Sequence, residues 1–221
     1  MKGIVFTFKK PHPASFRSRF RLSDVVQGMR KNGILLLFVL LLLAGMTCGA
    51  VYAHRADDTL LQSLDFLFST NLDARLTKGA LGIFSACFTS DFIFITAVCL
   101  FGFAPWGLPF QLVTVVFKGF GTGVTAAYLV MKNGMNGLGF YLLVLLPGTF
   151  LFCIALTVFS AAAFSFSIRQ FKFLLAKESL SFPMRENALR YGSRYLSALL
   201  MTFGASLMDT VLWTLFAGAF W

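Results

Sequence analysis

The stretch VVFKGFGTG, residues 115 to 123, places one lysine and three glycines inside an otherwise apolar run. An unpaired charge at the middle of a bilayer costs about 2.5 to 3.5 kcal/mol on insertion scales. Lys118 therefore needs an acidic partner if this run crosses a membrane. Gly119, Gly121 and Gly123 would let a neighbouring helix approach closely enough for such a contact. The stretch thus predicts a tightly packed membrane helix with an internal ion pair.

The composition of the whole chain supports a membrane location for this helix. Of the 221 residues, 57% are hydrophobic, only 13% are charged and 28 are Phe, and the mean hydropathy is +0.78. A soluble domain of this size could not bury so much apolar surface. We expect an all-α integral membrane protein, in which each crossing uses roughly 20 residues.

Five apolar runs predict about five transmembrane helices in a membrane domain that covers residues 33–221. The spans are expected at about 33–52, 84–103, 107–130, 137–167 and 196–221. Pro105 and Pro109 predict a tight turn before the third span, Lys132-Asn133-Gly134 closes that span, and Pro147 predicts a kink in the fourth.

Two further segments flank the first span. Residues 1–32 form a basic tail, which we expect to be cytoplasmic. After the first span, apolar residues recur at steps of three and four residues, which predicts a short interfacial amphipathic helix between spans 1 and 2. They are Leu60, Leu61, Leu64, Leu67 and Phe68.

The basic residues indicate the orientation of the chain. Of the 19 Lys and Arg residues, eight lie in residues 1–32 and six in residues 169–195. A five-span arrangement places both basic segments in the cytoplasm, as the positive-inside rule requires, and the C-terminus outside. We therefore attribute the net charge of +10 to the basic segments that set the topology of the chain and attract anionic membrane lipid. No nucleic-acid partner is expected.

Three charged residues fall inside the predicted spans. With a rise of about 1.5 Å per residue, Lys118, Asp209 and Asp91 lie roughly 16, 20 and 18 Å from the cytoplasmic ends of their helices. All three could meet at one level, so we expect Lys118 to pair with Asp209 or with Asp91. Such a cluster could fix helix packing or could line a path for an ion, a proton or a lipid head group. On the first span, Gly45 and Gly49 supply a second close-packing face.

The sequence gives no support to an enzyme or to a metal site. It contains no nucleophile elbow, no HExxH motif and no Walker lysine. The four cysteines form no CxxC pair, and the two histidines stand alone. We expect a protein without catalytic activity, metal or cofactor.

Four segments in order resemble the stage II sporulation protein M family. They are GLPF at 107–110, VVFKGFGTGVTAAYLV at 115–130, LLPGTFLF at 145–152, and RYLSALL at 194–200 followed by ASLMDTVL. In that family a Gly-x-Pro turn leads into a helix with a basic residue and glycines, a proline breaks the next helix, and the last span holds an acid. Gly107 and Pro109, Lys118, Pro147 and Asp209 fill these positions here. The chain departs from the family at Gly148-Thr149, where members often carry Gln-Asn.

The resemblance implies a non-enzymatic scaffold of the engulfment septum in sporulating bacteria. Such a protein holds two membrane-anchored peptidoglycan hydrolases together, a lytic transglycosylase and an amidase/endopeptidase-like protein, and a homo-oligomer is left open. The small-residue faces of spans 1 and 3 would then dock the anchors of these partners. The alternative is a transporter or channel component in which Lys118 and Asp209 line a polar pathway. A dry, satisfied ion pair would favour the scaffold, and a water-accessible cavity would favour transport.

Overall fold

The structure, a computed structural model, describes residues 33–55, 79–175 and 184–220, and these residues form only helices and the turns between them. The five long helices are α1 (Gly33–Arg55), α2 (Ala80–Phe103), α3 (Leu108–Phe140), α4 (Leu146–Leu175) and α5 (Met184–Phe220). The all-helical prediction is confirmed for this part of the chain. The basic tail and the amphipathic helix predicted between spans 1 and 2 lie outside the described residues.

Four of the described helical runs are long and apolar enough to cross a membrane. They are Gly33–Arg55, Ala80–Phe103, Pro105–Leu174 and Glu186–Phe216. The third run has 70 residues, so it would extend roughly 105 Å if it were straight. This is more than three times the ~30 Å thickness of a hydrocarbon core.

The 70-residue run does not extend straight, because it reverses at Gly134. This glycine has φ 57° and ψ −132°, a conformation that side-chain-bearing residues rarely adopt. The two arms pack side by side: Gln111 Nε2 donates a hydrogen bond to Ser167 Oγ at 3.0 Å, although 56 residues separate the two. α3 and α4 are therefore antiparallel arms of this run, and they overlap the residue ranges predicted for the third and fourth spans. The reversal lies at the turn that Lys132-Asn133-Gly134 predicts.

The turn between α2 and α3 is equally tight. A single turn of 3-10 helix, Pro105–Gly107, follows α2. Pro109 lies in the first turn of α3, where a backbone N–H would have no hydrogen-bond partner within the helix, so a proline is tolerated. A Cβ on Gly107 would overlap the carbonyl oxygen of Phe101. α2 and α3 are therefore antiparallel neighbours, and residues equally distant from this turn lie at the same level.

Before Pro147 the helix widens into a π-helical turn, Tyr141–Leu145. Proline has no N–H to donate, and its ring collides with the carbonyl four residues earlier in a regular α-helix. The irregularity predicted at Pro147 is therefore a local π-turn that ends two residues before the proline. It rotates Tyr141 and Leu145 toward the interior, where both are buried.

Several helices extend beyond the predicted spans. α5 begins at Met184 instead of about residue 196, and α4 ends at Leu175 instead of about residue 167. The sequence limits were set by hydropathy, whereas helical hydrogen bonds continue through the polar ends of a membrane helix. Arg169, Arg190 and Arg194 lie on these helical extensions.

Candidate functional site

The centre of the bundle contains a buried ion pair between α2 and α3. Lys118 Nζ donates a hydrogen bond to Asp91 Oδ1 at 2.7 Å, and each side chain is only 10% exposed. The two residues are about equally distant from the tight turn that joins their helices, so the antiparallel packing brings them to one level. Of the two acidic partners expected for Lys118, Asp91 forms the ion pair.

Two aromatic rings complete the surroundings of the lysine. Its Nζ lies 5.0 Å from the centre of the Phe94 ring and 4.7 Å from that of Phe152. Both distances are within the range in which the face of a ring attracts a cation. The ammonium group is therefore held by a carboxylate and two rings, which replace part of its lost hydration.

A cavity of about 50 Å³ adjoins the ion pair, and it collects all three intramembrane charges. Asp91 reaches it from α2, Lys118 from α3 and Asp209 from α5. This volume accommodates a few water molecules. The cluster expected from helix depth is thus assembled around one cavity, although Asp209 is not the residue that pairs with the lysine.

Threonine hydroxyls make much of the remaining cavity wall. Thr122 Oγ1 donates to the carbonyl of Lys118 at 2.8 Å, Thr125 Oγ1 to that of Gly121 at 3.0 Å, and Thr149 Oγ1 to that of Leu145 at 2.8 Å. A hydroxyl has one proton to donate and two lone pairs with which to accept. Each of these three hydroxyls therefore donates its proton within its own helix.

Thr122, Thr125 and Tyr141 were not among the site residues predicted from the sequence, and Thr149 was noted there only as part of the Gly148-Thr149 pair. Thr122 and Thr125 follow Lys118 by four and seven residues, a spacing that places them on the same helix face, so this signal was present in the sequence. Tyr141 and Thr149 reach the cavity only because the chain reverses at Gly134. No local pattern marks such a contact.

The glycines of α1 and α3 form a separate contact on the other side of α3. A Cβ on Gly45 would overlap the carbonyl oxygen of Val116, and one on Gly49 would overlap that of Phe120. In the reverse direction, Gly119 and Gly123 of α3 lie against the backbone of α1, at Leu42 and Met46. The two faces are buried in each other, so the expectation that they dock a partner's anchor is wrong. Gly121 instead lines the cavity.

Gly148 brings α4 close to the acidic residue of α5. A Cβ at this position would overlap the Asp209 carboxylate, and the next residue, Thr149, lines the cavity. The pair Gly148-Thr149 is the position at which the chain departs from the Gln-Asn of the family it resembles. In this chain Gly148 therefore lies beside Asp209, and Thr149 lies in the wall of the charged cavity.

An apolar groove of about 260 Å³ lies between α1 and α4, next to the charged cavity. Leu42 and Met46 line it from α1, and Phe150 and Ile154 line it from α4. It shares Thr122, Tyr141 and Thr149 with the cavity. Within the described ranges, no group of three or more His, Cys, Asp or Glu side chains is placed to bind a metal ion.

Comparison with known proteins identifies one family. The family described as Stage II sporulation protein M matches residues 35–221, which include nearly all of the described helices. No curated protein and no solved structure matches the chain.

Proposed function

We propose that this chain, which belongs to the stage II sporulation protein M family, is a non-enzymatic membrane scaffold. It would assemble peptidoglycan-degrading enzymes and localise them at the septum during sporulation engulfment. The partners would be a membrane-anchored lytic transglycosylase and an amidase/endopeptidase-like protein. The observation that carries the proposal is the family match over residues 35–221, because it covers the membrane domain as a whole.

The internal placement of the charges supports a scaffold. Lys118 is paired with Asp91 and enclosed by two rings, and the adjoining cavity measures only about 50 Å³. A buried charged contact of this kind constrains which helices can pack together and in which register. A rigid bundle of fixed geometry suits a protein that positions other proteins.

The packing also supports a five-crossing topology with a cytoplasmic N-terminus. Each antiparallel arm of Pro105–Leu174 exceeds the roughly 20 residues needed for one crossing. The contacts of Gly119 with Leu42 and of Gly123 with Met46 show that α1 and α3 run parallel. Both helices would therefore start on the same side of the membrane.

Basic residues gather at the end of the bundle where α3 starts. There the rings of Trp106 and Phe171 lie 6.2 Å apart, and Tyr191 Oη donates to the carbonyl of Cys99 at 3.0 Å. Among the residues whose side chains the structure describes, the basic ones at this end include Arg169, Lys172, Arg190 and Arg194. This excess of positive charge is typical of the cytoplasmic side.

The scaffold proposal can be tested in a spore-forming bacterium whose own family member has been deleted. The tagged chain is expected to restore engulfment, to concentrate at the septum and to copurify with both hydrolases. Gly49→Leu, which separates α1 from α3, should abolish all three, whereas Gly204→Leu should not, because a Cβ there meets nothing within 4 Å. Engulfment without recovery of either hydrolase would contradict the proposal.

One observation favours a second function, a transporter or channel component. Asp91, Lys118 and Asp209 all line one cavity, and charges inside a membrane commonly mark ion or proton pathways. The chain reconstituted in liposomes separates the two functions. A scaffold should give no ion flux above that of empty liposomes, whereas a flux that disappears in Asp209→Asn would establish transport.

A further inference from the structure

We propose that the apolar groove between α1 and α4 binds the end of one acyl chain of a membrane phospholipid. Such binding would not depend on the recruitment of hydrolases, because the bilayer itself supplies the ligand. The wall of the groove, its depth in the membrane and its dimensions each point to an acyl chain.

The wall of the groove is apolar. Leu42, Leu43 and Met46 line it from α1, and Phe150 and Ile154 line it from α4. None of the described residues that line it is Lys, Arg, His, Asp or Glu. A charged ligand would lose its hydration here without gaining a partner of opposite charge. The wall therefore favours a hydrocarbon ligand.

The polar atoms in the wall do not change this preference. Thr122, Thr149 and Thr157 each donate their proton to the carbonyl four residues earlier in the chain. Tyr141 belongs also to the wall of the charged cavity, and the thiol of Cys153 forms only weak hydrogen bonds. A ligand in the groove therefore meets mainly hydrocarbon.

The groove lies near the middle of the membrane and faces the lipid. Its α1 residues, within 39–46, lie roughly 9 to 20 Å along the helix from Gly33, where the apolar run of α1 begins. Half of a hydrocarbon core measures ~15 Å. Leu43, Phe150 and Ile154 are exposed on the surface of the bundle. At this depth a bilayer offers chiefly the ends of its acyl chains.

The groove is too small for the transmembrane anchor of another protein. Residues 39–46 give it a length of about 10 Å along α1, whereas an anchor needs ~30 Å to cross the core. A helix about 10 Å wide would occupy roughly 800 Å³ over that length, and the groove measures about 260 Å³. This volume holds about nine methylene groups, if each takes roughly the 30 Å³ that liquid water gives one molecule.

An acyl chain in the groove would also cover the lipid side of the charged cavity. The groove and the cavity share Thr122, Tyr141 and Thr149. Side chains that line an unfilled space lose dispersion contacts, which a bound chain would restore. The chain would thus fill the space between α1 and α4 and separate the Lys118–Asp91 ion pair from the surrounding lipid.

The test uses the purified full chain in phosphatidylcholine nanodiscs that contain a small fraction of a photoactivatable phosphatidylcholine with a diazirine at the end of one acyl chain. After illumination, mass spectrometry locates the attached lipid. Leu43 should carry at least about threefold more label than Leu40, a leucine of the same helix that is 57% exposed, against 50% for Leu43, and does not line the groove. A diazirine beside the head group should not label the groove.

A matched pair of variants assigns the label to the groove. Leu43→Trp adds a large ring at the wall, so it should displace the acyl chain and abolish the label on Phe150 and Ile154. Leu40→Trp adds the same ring outside the groove and should leave that label unchanged.

Three outcomes would overturn the proposal. Equal label on Leu43 and Leu40 would show that the groove binds lipid no better than the rest of the surface. Label on Leu40 with none on Leu43, Phe150 and Ile154 would show that protein covers the groove, either a second copy or another segment of the chain. Label on Phe150 and Ile154 that persists unchanged in Leu43→Trp would place the acyl chain elsewhere. If Leu43→Trp fails to fold, the comparison of Leu43 with Leu40 in the wild type decides the matter.

Discussion

The two faces of α3 hold the bundle together by different means. On one face, Gly119 and Gly123 allow the backbone of α1 to approach. On the other, Lys118 and the threonines meet Asp91 and Asp209 around a polar cavity. The first contact depends on shape, because an added Cβ would overlap the facing backbone, whereas the second depends on charge, above all on the Lys118–Asp91 ion pair. Residues 115–123 contribute to both contacts because residues three or four positions apart lie on one face of a helix, and the residues between them lie on another.

The largest effect should follow from removing one member of the ion pair. Asp91→Leu or Lys118→Met alone leaves an uncompensated buried charge, so each should lower the free energy of unfolding by about 3 to 5 kcal/mol. The double variant should recover most of this loss. Thermal and denaturant unfolding in detergent measure all three.

Lys132→Met is the control for this comparison, because Lys132 is exposed and its Nζ lies 5.6 Å from the centre of the Tyr128 ring, so the change should cost no more than about 1 kcal/mol. Single changes in the ion pair that cost no more than this control would show that the charged face of α3 contributes little stability.

The shape-dependent face should respond to a single methyl group. In Gly49→Ala the added Cβ overlaps the Phe120 carbonyl, and overpacking of this kind costs about 1 to 3 kcal/mol. Gly204→Ala, where a Cβ meets nothing within 4 Å, should be neutral or stabilising by up to about 1 kcal/mol. Equal destabilisation by the two changes would argue against close packing of α1 on α3.

The reversal at Gly134 brings the α4 side of the cavity to α3. Gly134→Ala places a Cβ on a residue with φ 57° and ψ −132°, which should cost about 1 to 3 kcal/mol. Gly192→Ala, in α5 with open space around it, is the control. Unchanged stability in Gly134→Ala, measured by chemical unfolding, would mean that the reversal does not require this backbone conformation.

The smallest effect is expected at a threonine of the cavity. Thr125→Val keeps the shape of the side chain and removes a hydroxyl that donates to the carbonyl of Gly121 in its own helix. The change should cost less than about 0.5 kcal/mol, similar to Thr114→Val at a half-buried threonine of the same helix that also donates to the carbonyl four residues earlier. A much larger loss would show that the Thr125 hydroxyl also stabilises contacts outside its own helix.

Much of the charged site is predictable from the sequence because helix geometry fixes depth. A constant rise per residue was enough to place Lys118, Asp91 and Asp209 at one level, and they line one cavity. Depth could not decide which acid pairs with the lysine. That choice depends on the tight turn at Pro105–Gly107, which makes α2 the antiparallel neighbour of α3.

Contacts between distant parts of the chain were harder to predict. Tyr141 and Thr149 join the cavity through the reversal at Gly134 and the π-turn before Pro147. The close-packing glycines were recognised, but sequence alone could not show that Gly45 and Gly49 pack against α3 of the same chain. The end of α4 and the start of α5 were predicted incorrectly. Hydropathy identifies the apolar segment of a helix, whereas the helical hydrogen bonds continue beyond it.

The central claim is that the Lys118–Asp91 ion pair stabilises the packing of a scaffold protein and does not form part of an ion pathway. The most direct test is the Lys118→Met and Asp91→Leu double variant in a sporulating host that lacks its own family member. If the pair is structural, the double variant should fold, localise at the septum and copurify with the two hydrolases at near wild-type levels, while each single variant fails. A double variant that folds and localises yet has lost function, together with an ion flux present only in the wild type, would contradict the account.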